Sequence, residues 1–239
     1  AIATGLADFI LRPEEMPRPL EGFAKHLYAA KNDTPEILLT EEDRLNRIFS
    51  LLREKTGVDF THYKPTTVAR RIERRMSVNQ IRELADYVKY LERYPEERQI
   101  LYREMLIGVT SFFRDPTAFE ILGETHLPAM LREKDGGEAR FWVTGCSSGE
   151  EAYGLAILTR KCLERENLDV NIKIFATDVD RNAITHAGQG IYPESIAADM
   201  PGEALSRFFV RKGDRFQIGR EIREMVVFAQ HNLIKDPPF

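Results

Sequence analysis

The stretch FWVTGCSSGEEAY, residues 141–153, decides how the second half of this chain folds. It begins with three apolar residues that favour a β-strand, continues with the six small residues TGCSSG, and opens a helical pattern at Glu150. A strand, a tight loop and a helix N-terminus are the parts with which an α/β sheet holds a ligand, because glycines let backbone N–H groups come close to it. The same pattern also fits an ordinary strand-to-helix turn, so the loop alone does not establish a site.

A second strand and helix follow, at residues 172–177 and 182–187, with Asp178 and Asp180 between them. Two successive β-α units form a parallel sheet whose loops lie at the same edge, so these carboxylates are expected beside the glycine loop. Either aspartate is placed to accept hydrogen bonds from ribose hydroxyls. Nicotinamide enzymes and methyltransferases share that geometry, which therefore does not choose between them.

The glycine loop argues against a dinucleotide or a nucleoside triphosphate. GCSSG lacks the third glycine of the G-x-G-x-x-G pattern, and no glycine of the chain precedes Lys and then Ser or Thr, as a P-loop requires. Glu150 and Glu151 stand where a pyrophosphate would bind. Because two carboxylates repel a diphosphate and attract a cation, the loop favours a positively charged ligand.

Composition limits the class of protein. The chain has 239 residues, 43% hydrophobic and 30% charged, which is enough for one medium domain and a smaller one. Its net charge of −4 gives no support for nucleic acid as a partner. Cys146 and Cys162 lie at no metal-like spacing with the five histidines, so no metal site is expected. With no membrane-length apolar run and no signal layout, we expect a cytoplasmic protein, or a cytoplasmic fragment of one, without direct membrane insertion.

Residues 40–107 predict a small helical domain that follows an N-terminal extension, residues 1–39. Apolar residues recur with the helical period in a first helix that ends at Gly57. Three further helices are predicted at residues 68–76, 81–94 and 96–107. In the extension, residues 7–11 favour a short strand. The prolines at positions 13, 17 and 19 then favour either a turn or the first turn of a helix that continues through residues 20–27.

The second of these helices, VARRIERRM, concentrates positive charge in a chain that is negative as a whole. Its four arginines are Arg70, Arg71, Arg74 and Arg75. Like charges at this spacing repel one another. They can be a solvated face paired with acids such as Glu96 and Glu97, or a dock for an acidic partner. We favour the dock, because four arginines within six residues exceed what solubility requires.

The segment FFRDP, residues 112–116, lies shortly before the strand that carries the glycine loop. Its two aromatic residues can fill the core while Arg114 pairs with Asp115, which is the ordinary structural explanation. Arg114 can equally be directed into the ligand cleft.

Residues 192–228 interrupt the alternation of strands and helices. Strand-like runs at residues 208–210 and 216–218 flank a KGD turn and predict a small antiparallel sheet. Residues 225–228 form a last strand, which we expect to rejoin the main sheet.

Several motifs of the chain occur in the order and spacing of a known enzyme family. They are FFRDP (112–116), GCSSGEEAY (145–153), ATDVD (176–180), GIY (190–192), and HNL with DPPF (231–239). Over residues 40–239 the chain resembles the chemotaxis receptor glutamate methyltransferases of the CheR type. The resemblance implies a helical receptor-docking domain at residues 40–107 and a Rossmann-like methyltransferase domain at residues 108–239. The methyl donor is then S-adenosylmethionine, the product S-adenosylhomocysteine, and no metal is needed.

The resemblance also implies roles for individual residues. It assigns six residues to the donor site: Thr110, Arg114, Glu151, Asp178, Asn232 and Leu233. Arg114 is further expected to orient the acceptor carboxylate, and so to be the catalytic residue. Gly108 stands where some relatives carry asparagine, which implies that one donor contact is missing. The arginine helix is expected to contact the acidic methylation region of the receptor's cytoplasmic helices.

The two ends of the chain depart from the family. Residues 1–28, which contain DFILRPEEMP, resemble the end of the partner methylesterase domain and imply a piece of a fused protein. At the other end, the family's sheet continues beyond DPPF, so the methyltransferase domain is expected to be truncated. A donor-binding module without catalysis is therefore the second functional hypothesis, and an NAD-dependent oxidoreductase is the third.

Overall fold

The structure, a computed structural model, describes residues 9–25, 41–106, 108 and 110–238. The chain divides into two compact units, a helical unit of residues 1–107 and a sheet unit of residues 108–239. Across the described parts of the chain, no helix combines the length and the apolar character needed to cross a membrane.

The described part of the helical unit consists of helices joined by short turns. The helices are α1 (Pro17–Lys25), α2 (Glu42–Thr56), α3 (Pro65–Val78), α4 (Leu84–Arg93) and α5 (Pro95–Met105), with 3₁₀ turns at Pro13–Glu15 and Phe60–His62. A proline opens α1, α3 and α5, a position where its missing N–H costs no hydrogen bond. Apolar side chains from facing helices are buried together and form the core: Ile48, Leu52, Phe60, Ile72, Tyr87 and Leu101.

The predicted helix boundaries hold in most places. Gly57 ends α2 with a left-handed φ of 75°, as predicted. In the N-terminal extension, residues 9–11 form no strand, so the strand predicted at residues 7–11 is wrong there, and residues 7 and 8 lie outside the described part. The helix predicted to follow the prolines of this extension is α1, which begins at Pro17, a residue that suits a first turn. Residues 26 and 27 of this prediction lie outside the described part.

The end of α3 delays the start of the next helix. The Ile81 N–H donates to the Met76 carbonyl over 2.9 Å, the long bond of a Schellman motif. This motif needs a left-handed residue, here Gln80 with a φ of 57°. The chain therefore leaves the helix in a fixed direction, and α4 begins at Leu84 rather than at residue 81, where the apolar pattern predicts it.

A buried ionic network joins α3, α4 and α5. Arg75 is only 3% exposed, and its Nε and Nη2 donate to the two carboxylate oxygens of Glu97 over 2.9 and 2.8 Å. Tyr87 Oη and Asn79 Nδ2 donate to the same carboxylate over 2.9 and 3.1 Å. Arg75 Nη1 also donates to Glu104 over 3.2 Å. A two-pronged pair with further hydrogen bonds can offset the cost of removing both charges from water.

The sheet unit combines a parallel and an antiparallel sheet. Its strands are β1 (Glu138–Thr144), β2 (Asn171–Asp178), β3 (Ile191–Pro193), β4 (Phe209–Lys212), β5 (Arg215–Ile218) and β6 (Val226–Gln230). The parallel main sheet has the order β1-β2-β6, and the antiparallel small sheet has the order β3-β5-β4. The prediction that the last strand rejoins the main sheet is confirmed.

Helices precede and connect the strands of the sheet unit. They are α6 (Pro116–Ile121), α7 (Leu127–Arg132), α8 (Glu150–Glu166), α9 (Arg181–Gln189), α10 (Gly202–Phe208) and α11 (Arg220–Glu224), with a π-helical turn at Leu122–His126 and a 3₁₀ turn at Glu194–Ala198. The register aligns Thr144 with Thr177 and Asp178 with Gln230 at the carboxyl ends of the strands. The loops after β1, β2 and β6 therefore meet at one edge of the sheet.

Replacing Glu97 by alanine should destabilise the helical unit by about 3–5 kcal/mol, because it leaves the buried Arg75 guanidinium without its carboxylate. The matched control is Glu92→Ala, which removes an ion pair with Arg47 whose side chains are 48% and 40% exposed. That change should cost at most about 1 kcal/mol. Urea unfolding followed by circular dichroism measures both, and equal losses would contradict the structural role of the network.

Candidate active site

The loop after β1 has the backbone that its small residues predict. Gly145, Ser147 and Gly149 have φ values of 66°, 47° and 95°, all in the left-handed region. At Gly149 a Cβ would lie 2.9 Å from the Cβ of Ala187 and 3.0 Å from the Phe228 ring. Glycine is thus required there both by conformation and by the closeness of α9 and β6.

Three backbone N–H groups of this loop donate hydrogen bonds to other groups of the chain. The Cys146 N–H donates to the Thr177 carbonyl over 3.0 Å, and the Ser147 N–H donates to Asp178 Oδ2 over 2.8 Å. The Gly149 N–H donates to the Cys146 carbonyl over 2.9 Å. Two of these N–H groups attach the loop to β2, and the third closes a turn within the loop. Because all three have partners within the chain, the adjacent side chains become the main candidates for ligand contact.

The two carboxylates at the start of α8 have different environments. Glu150 is 9% exposed, and Ser148 Oγ lies 2.9 and 2.7 Å from its two oxygens. Burial raises the pKa of Glu150. Glu151, the next residue, is exposed at the N-terminus of the helix, where the helix dipole stabilises a negative charge. Glu151 is therefore the carboxylate that a ligand can reach.

The two aspartates at and just after the end of β2, Asp178 and Asp180, have different hydrogen-bond partners. Asp178 is half-buried, and its carboxylate accepts from the Ser147 N–H and, through Oδ1, from the Asp180 N–H over 2.8 Å. A carboxylate oxygen can accept a second hydrogen bond, so Asp178 retains capacity for a hydroxyl donor. Asp180 caps α9 by accepting from the Asn182 N–H over 2.8 Å. Asp178 is thus the aspartate that lies against the glycine loop.

The segment before α6 approaches the same loop. A Cβ on Gly108 would lie 3.3 Å from Ser147 Oγ, so a larger side chain there would contact the loop. Thr110 is half-buried and Arg114 is exposed. Asp115 Oδ1 accepts from the Ala118 N–H over 3.2 Å and caps α6. The capping role of Asp115 gives this residue a function in the fold that does not depend on Arg114.

The aromatic pair of FFRDP is largely structural. Phe112 is 1% exposed and packs edge to face against Tyr192 and Phe209, with ring centroids 5.0 and 5.5 Å apart. Phe113 has a φ of 51° and packs against Phe119 at 5.1 Å. The core-filling explanation of the sequence analysis therefore holds for Phe112.

Residues after β6 extend the site past Asp178. The His231 N–H donates to the Asp178 carbonyl over 2.9 Å. Asn232 is half-buried, and its Oδ1 accepts from the Ile234 N–H over 3.0 Å, whereas the Leu233 side chain is 57% exposed. The structure thus brings the segment of Asn232 and Leu233 next to Asp178.

Cys146 lies within the loop but is not suited to be a nucleophile. It is 2% exposed, and burial, followed by the charge of Asp178, raises the pKa of its thiol to about 12. Because the thiolate is the reactive form, this cysteine stays an inert thiol near neutral pH. The exposed carboxylate of Glu151 is therefore a better candidate for ligand contact than this thiol.

The four arginines of α3 differ in how far their side chains are exposed. Arg75 belongs to the buried network and pairs with Glu97, the alternative that the sequence left open. Arg74 pairs with Glu104. Arg70 is exposed and Arg71 is half-buried. The exposed positive charge of α3 therefore lies mainly on Arg70 and Arg71, because the Arg75 guanidinium is buried and Arg74 pairs with Glu104.

Sequence reasoning missed Tyr192 as a contact of the loop. Its hydroxyl donates to the Ser148 carbonyl over 2.8 Å, and its side chain is 1% exposed. The GIY motif marked the position, but no local pattern could link two residues that are 44 positions apart.

Replacing Gly149 by alanine should destabilise the sheet unit by about 3 kcal/mol, because a Cβ at a left-handed φ would also overlap α9 and β6. Gly145→Ala is the matched control, since its φ is 66° but its Cβ would meet nothing within 4 Å. It should cost about 1 kcal/mol. The fluorescence of Trp142, the single tryptophan, reports unfolding of this unit. Equal losses would show that close packing does not constrain the loop.

Comparison with known proteins assigns both units. Residues 108–239 match the family described as CheR methyltransferase, SAM binding domain, and residues 43–106 match CheR methyltransferase, all-alpha domain. An uncharacterized 104.1 kDa protein in the hypE 3′ region of Rhodobacter capsulatus is 46% identical over 84% of this chain, which spans 21% of that protein.

Relatives named for an activity are more distant but are matched over more of their own length. Chemotaxis protein methyltransferase 2 of Pseudomonas aeruginosa is 29% identical over 93% of this chain and 75% of its own length. Chemotaxis protein methyltransferase 2 of Vibrio cholerae is 30% identical over 83% of this chain and 69% of its own length.

Proposed function

The chain belongs to the CheR methyltransferase family, and from this premise we propose that it methylates glutamate side chains of chemotaxis receptors with S-adenosylmethionine as donor. The observation that carries the proposal is the acidic glycine loop, in which Glu151 is exposed while three backbone N–H groups are already bonded within the chain. Such a loop suits a cationic nucleoside and not a phosphate. The names of the relatives from Pseudomonas aeruginosa and Vibrio cholerae support the same activity.

We assign the donor contacts by chemistry. S-adenosylmethionine supplies a methyl group on a positively charged sulfonium. Glu151 would attract that charge, Asp178 would accept from the ribose hydroxyls, and the segment of Asn232 and Leu233 would border the adenine. Thr110 precedes the segment that leads to Arg114, and both would line the cleft. This arrangement also counts against an NAD-dependent oxidoreductase, because the exposed Glu151 would repel a pyrophosphate.

The chemistry of the acceptor makes positioning the main task. A glutamate carboxylate is already ionised near pH 7, so the chain needs no general base. The carboxylate must instead lose water and lie in line with the methyl group, which is a matter of orientation. Arg114 is the residue to which we assign this orientation, because a guanidinium can hold a carboxylate with two parallel hydrogen bonds.

Arg114→Ala should lower the rate of methyl transfer from labelled donor to receptor by about 100-fold, since misplacing a reacting group can cost that much. Arg132→Ala is the matched control, an arginine of α7 that is 58% exposed and pairs with Glu166. It should leave transfer unchanged, and circular dichroism should show both variants folded. Near-normal transfer by the Arg114 variant would exclude the proposed role.

Calorimetric titration of the wild-type protein with S-adenosylhomocysteine separates the alternatives. Binding together with transfer supports the proposed enzyme. Binding without transfer would favour a module that only senses the donor. No binding of S-adenosylhomocysteine but tight binding of NAD would overturn the assignment of the donor.

We further propose that Arg70 and Arg71 form the receptor-docking surface of α3. Arg70 is exposed and Arg71 is half-buried, and both lie on the helix whose C-terminal part is held by the Arg75 network. The network would keep this surface rigid, and a rigid cationic surface suits the acidic helices of a receptor. Arg74 contributes less, because Glu104 offsets its charge.

Reversing both charges, Arg70→Glu with Arg71→Glu, should weaken receptor binding by about tenfold, mainly through slower association and with a smaller dependence on salt. The control reverses Arg93 and Arg103, which are exposed on α4 and α5, and changes the net charge by the same amount. Affinity for S-adenosylhomocysteine should not change in either variant. Equal weakening of receptor binding by both variants would mean that only overall charge matters.

We also propose that residues 1–28 are the end of a methylesterase domain, so that this chain is part of a protein carrying both activities. The described portion of this extension contains α1. The Rhodobacter capsulatus relative, of which this chain spans 21%, supports a larger multidomain parent. The intact mass of the protein purified from its source tests this proposal.

A further inference from the structure

We propose that Tyr192 is a positioning residue for the glycine loop, so that the small antiparallel sheet forms part of the donor site. The inference rests on the proposed function, because it concerns the loop to which the donor is assigned. The loop is attached on one side to β2, through Cys146 and Ser147, and on another side to β3, through Tyr192.

Packing around the Tyr192 ring, away from the loop, holds this side chain in place. Its ring lies edge to face with Phe112 at 5.0 Å and with Tyr153 at 6.3 Å, and the side chain is 1% exposed. Within the small sheet, Tyr192 pairs with Phe216 of β5. The position of the hydroxyl is therefore set by the packing of the small sheet rather than by the loop that it contacts.

The bond acts at the turning point of the loop. The Tyr192 hydroxyl donates to the Ser148 carbonyl over 2.8 Å, and the next residue, Gly149, has a φ of 95°. Ser148 Oγ also contacts both oxygens of Glu150. Holding the Ser148 carbonyl thus orients the peptide that leads into α8, whose second residue is Glu151. A shift of this peptide would move the exposed carboxylate that we assign to the donor.

The other two strands of the small sheet contact the surroundings of Tyr192, through a backbone hydrogen bond from β5 and an aromatic ring from β4. The Ile218 N–H of β5 donates to the Gly190 carbonyl over 2.9 Å, just before β3 begins. Phe209 of β4 packs against Phe112, which in turn packs against Tyr192. Packing changes in β4 or β5 therefore reach the glycine loop through one aromatic cluster and one hydroxyl.

The chain contains a matched control for this hydroxyl. Tyr153 is also 1% exposed, and its hydroxyl also donates to a backbone carbonyl, that of Ala187, over 2.9 Å. Tyr192→Phe and Tyr153→Phe each remove one buried hydroxyl and keep the ring. Their effects on thermal stability should therefore be similar, whereas only Tyr192→Phe releases the glycine loop.

The test measures donor affinity and loop protection in both variants. Calorimetry with S-adenosylhomocysteine should show about fivefold weaker binding for Tyr192→Phe and an unchanged affinity for Tyr153→Phe. Hydrogen–deuterium exchange of the ligand-free proteins should speed up over residues 146–150 in Tyr192→Phe, and at the end of α9 in Tyr153→Phe.

The outcomes distinguish a failure of the Tyr192 role from a failure of the proposed function. If the wild type binds S-adenosylhomocysteine and both variants bind it equally well, Tyr192 does not position the loop. If the wild type does not bind it, the proposed donor is wrong, and the exchange measurement still decides whether Tyr192 holds the loop. Exchange over residues 146–150 that is the same in Tyr192→Phe as in the wild type would overturn the inference in either case.

Discussion

The hydrogen bond from the Ser147 N–H to the Asp178 carboxylate is the interaction on which the candidate site depends. It joins the loop after β1 to the end of β2, and the parallel register of these strands makes it possible, because Thr144 and Thr177 lie side by side. Since Asp178 Oδ1 is held by the Asp180 N–H, the carboxylate cannot turn away from the loop. One aspartate thus both shapes the loop and remains available to a ligand. Its negative charge also helps to explain why the pKa of the neighbouring Cys146 thiol is raised, after the larger effect of burial.

Charge is used in two opposite ways in this chain. Glu150 and Arg75 are buried and bonded to Ser148 and Glu97, and their charges serve the fold. Glu151 and Arg70 stand one and five positions away in sequence from these residues and are exposed. A helix alternates buried and exposed positions within a single turn, so neighbouring identical residue types acquire different tasks. The number of charged residues in a segment is therefore larger than the number of charged side chains that a binding partner can contact.

Much of the fold was predictable because its signals are local. The apolar runs and the glycines predict the β-α units, the return of the last strand to the main sheet, and the end of α2 at Gly57. The sequence named Glu97 as a possible partner of the arginine helix, but only as part of a solvated face, and it did not show that Arg75 is buried. The contact of Tyr192 with the loop was not predictable, since Ser148 lies 44 residues away. The Schellman motif after α3 places Gln80 where glycine is usual, so the later start of α4 had no clear sequence signal. For the site, the sequence predicted which residue types lie at the carboxyl-terminal edge of the sheet. It could not show that the N–H groups of the loop donate to other groups of the chain and are therefore not free for a ligand.

The acidic loop raises an electrostatic problem for the proposed reaction, because the acceptor is itself a carboxylate. In the proposed site, a glutamate approaching Glu151 and Asp178 would meet like charges, and the sulfonium and Arg114 would have to offset this repulsion. Transfer of the methyl group removes both the positive charge of the donor and the negative charge of the acceptor. The attraction that brings the two substrates together is then lost in the same step, whereas Glu151 and Arg114 keep their charges. In the proposed site, the thioether sulfur and the methyl ester that result would carry no charge, so Glu151 and Arg114 would attract these two groups less than they attract the sulfonium and the carboxylate.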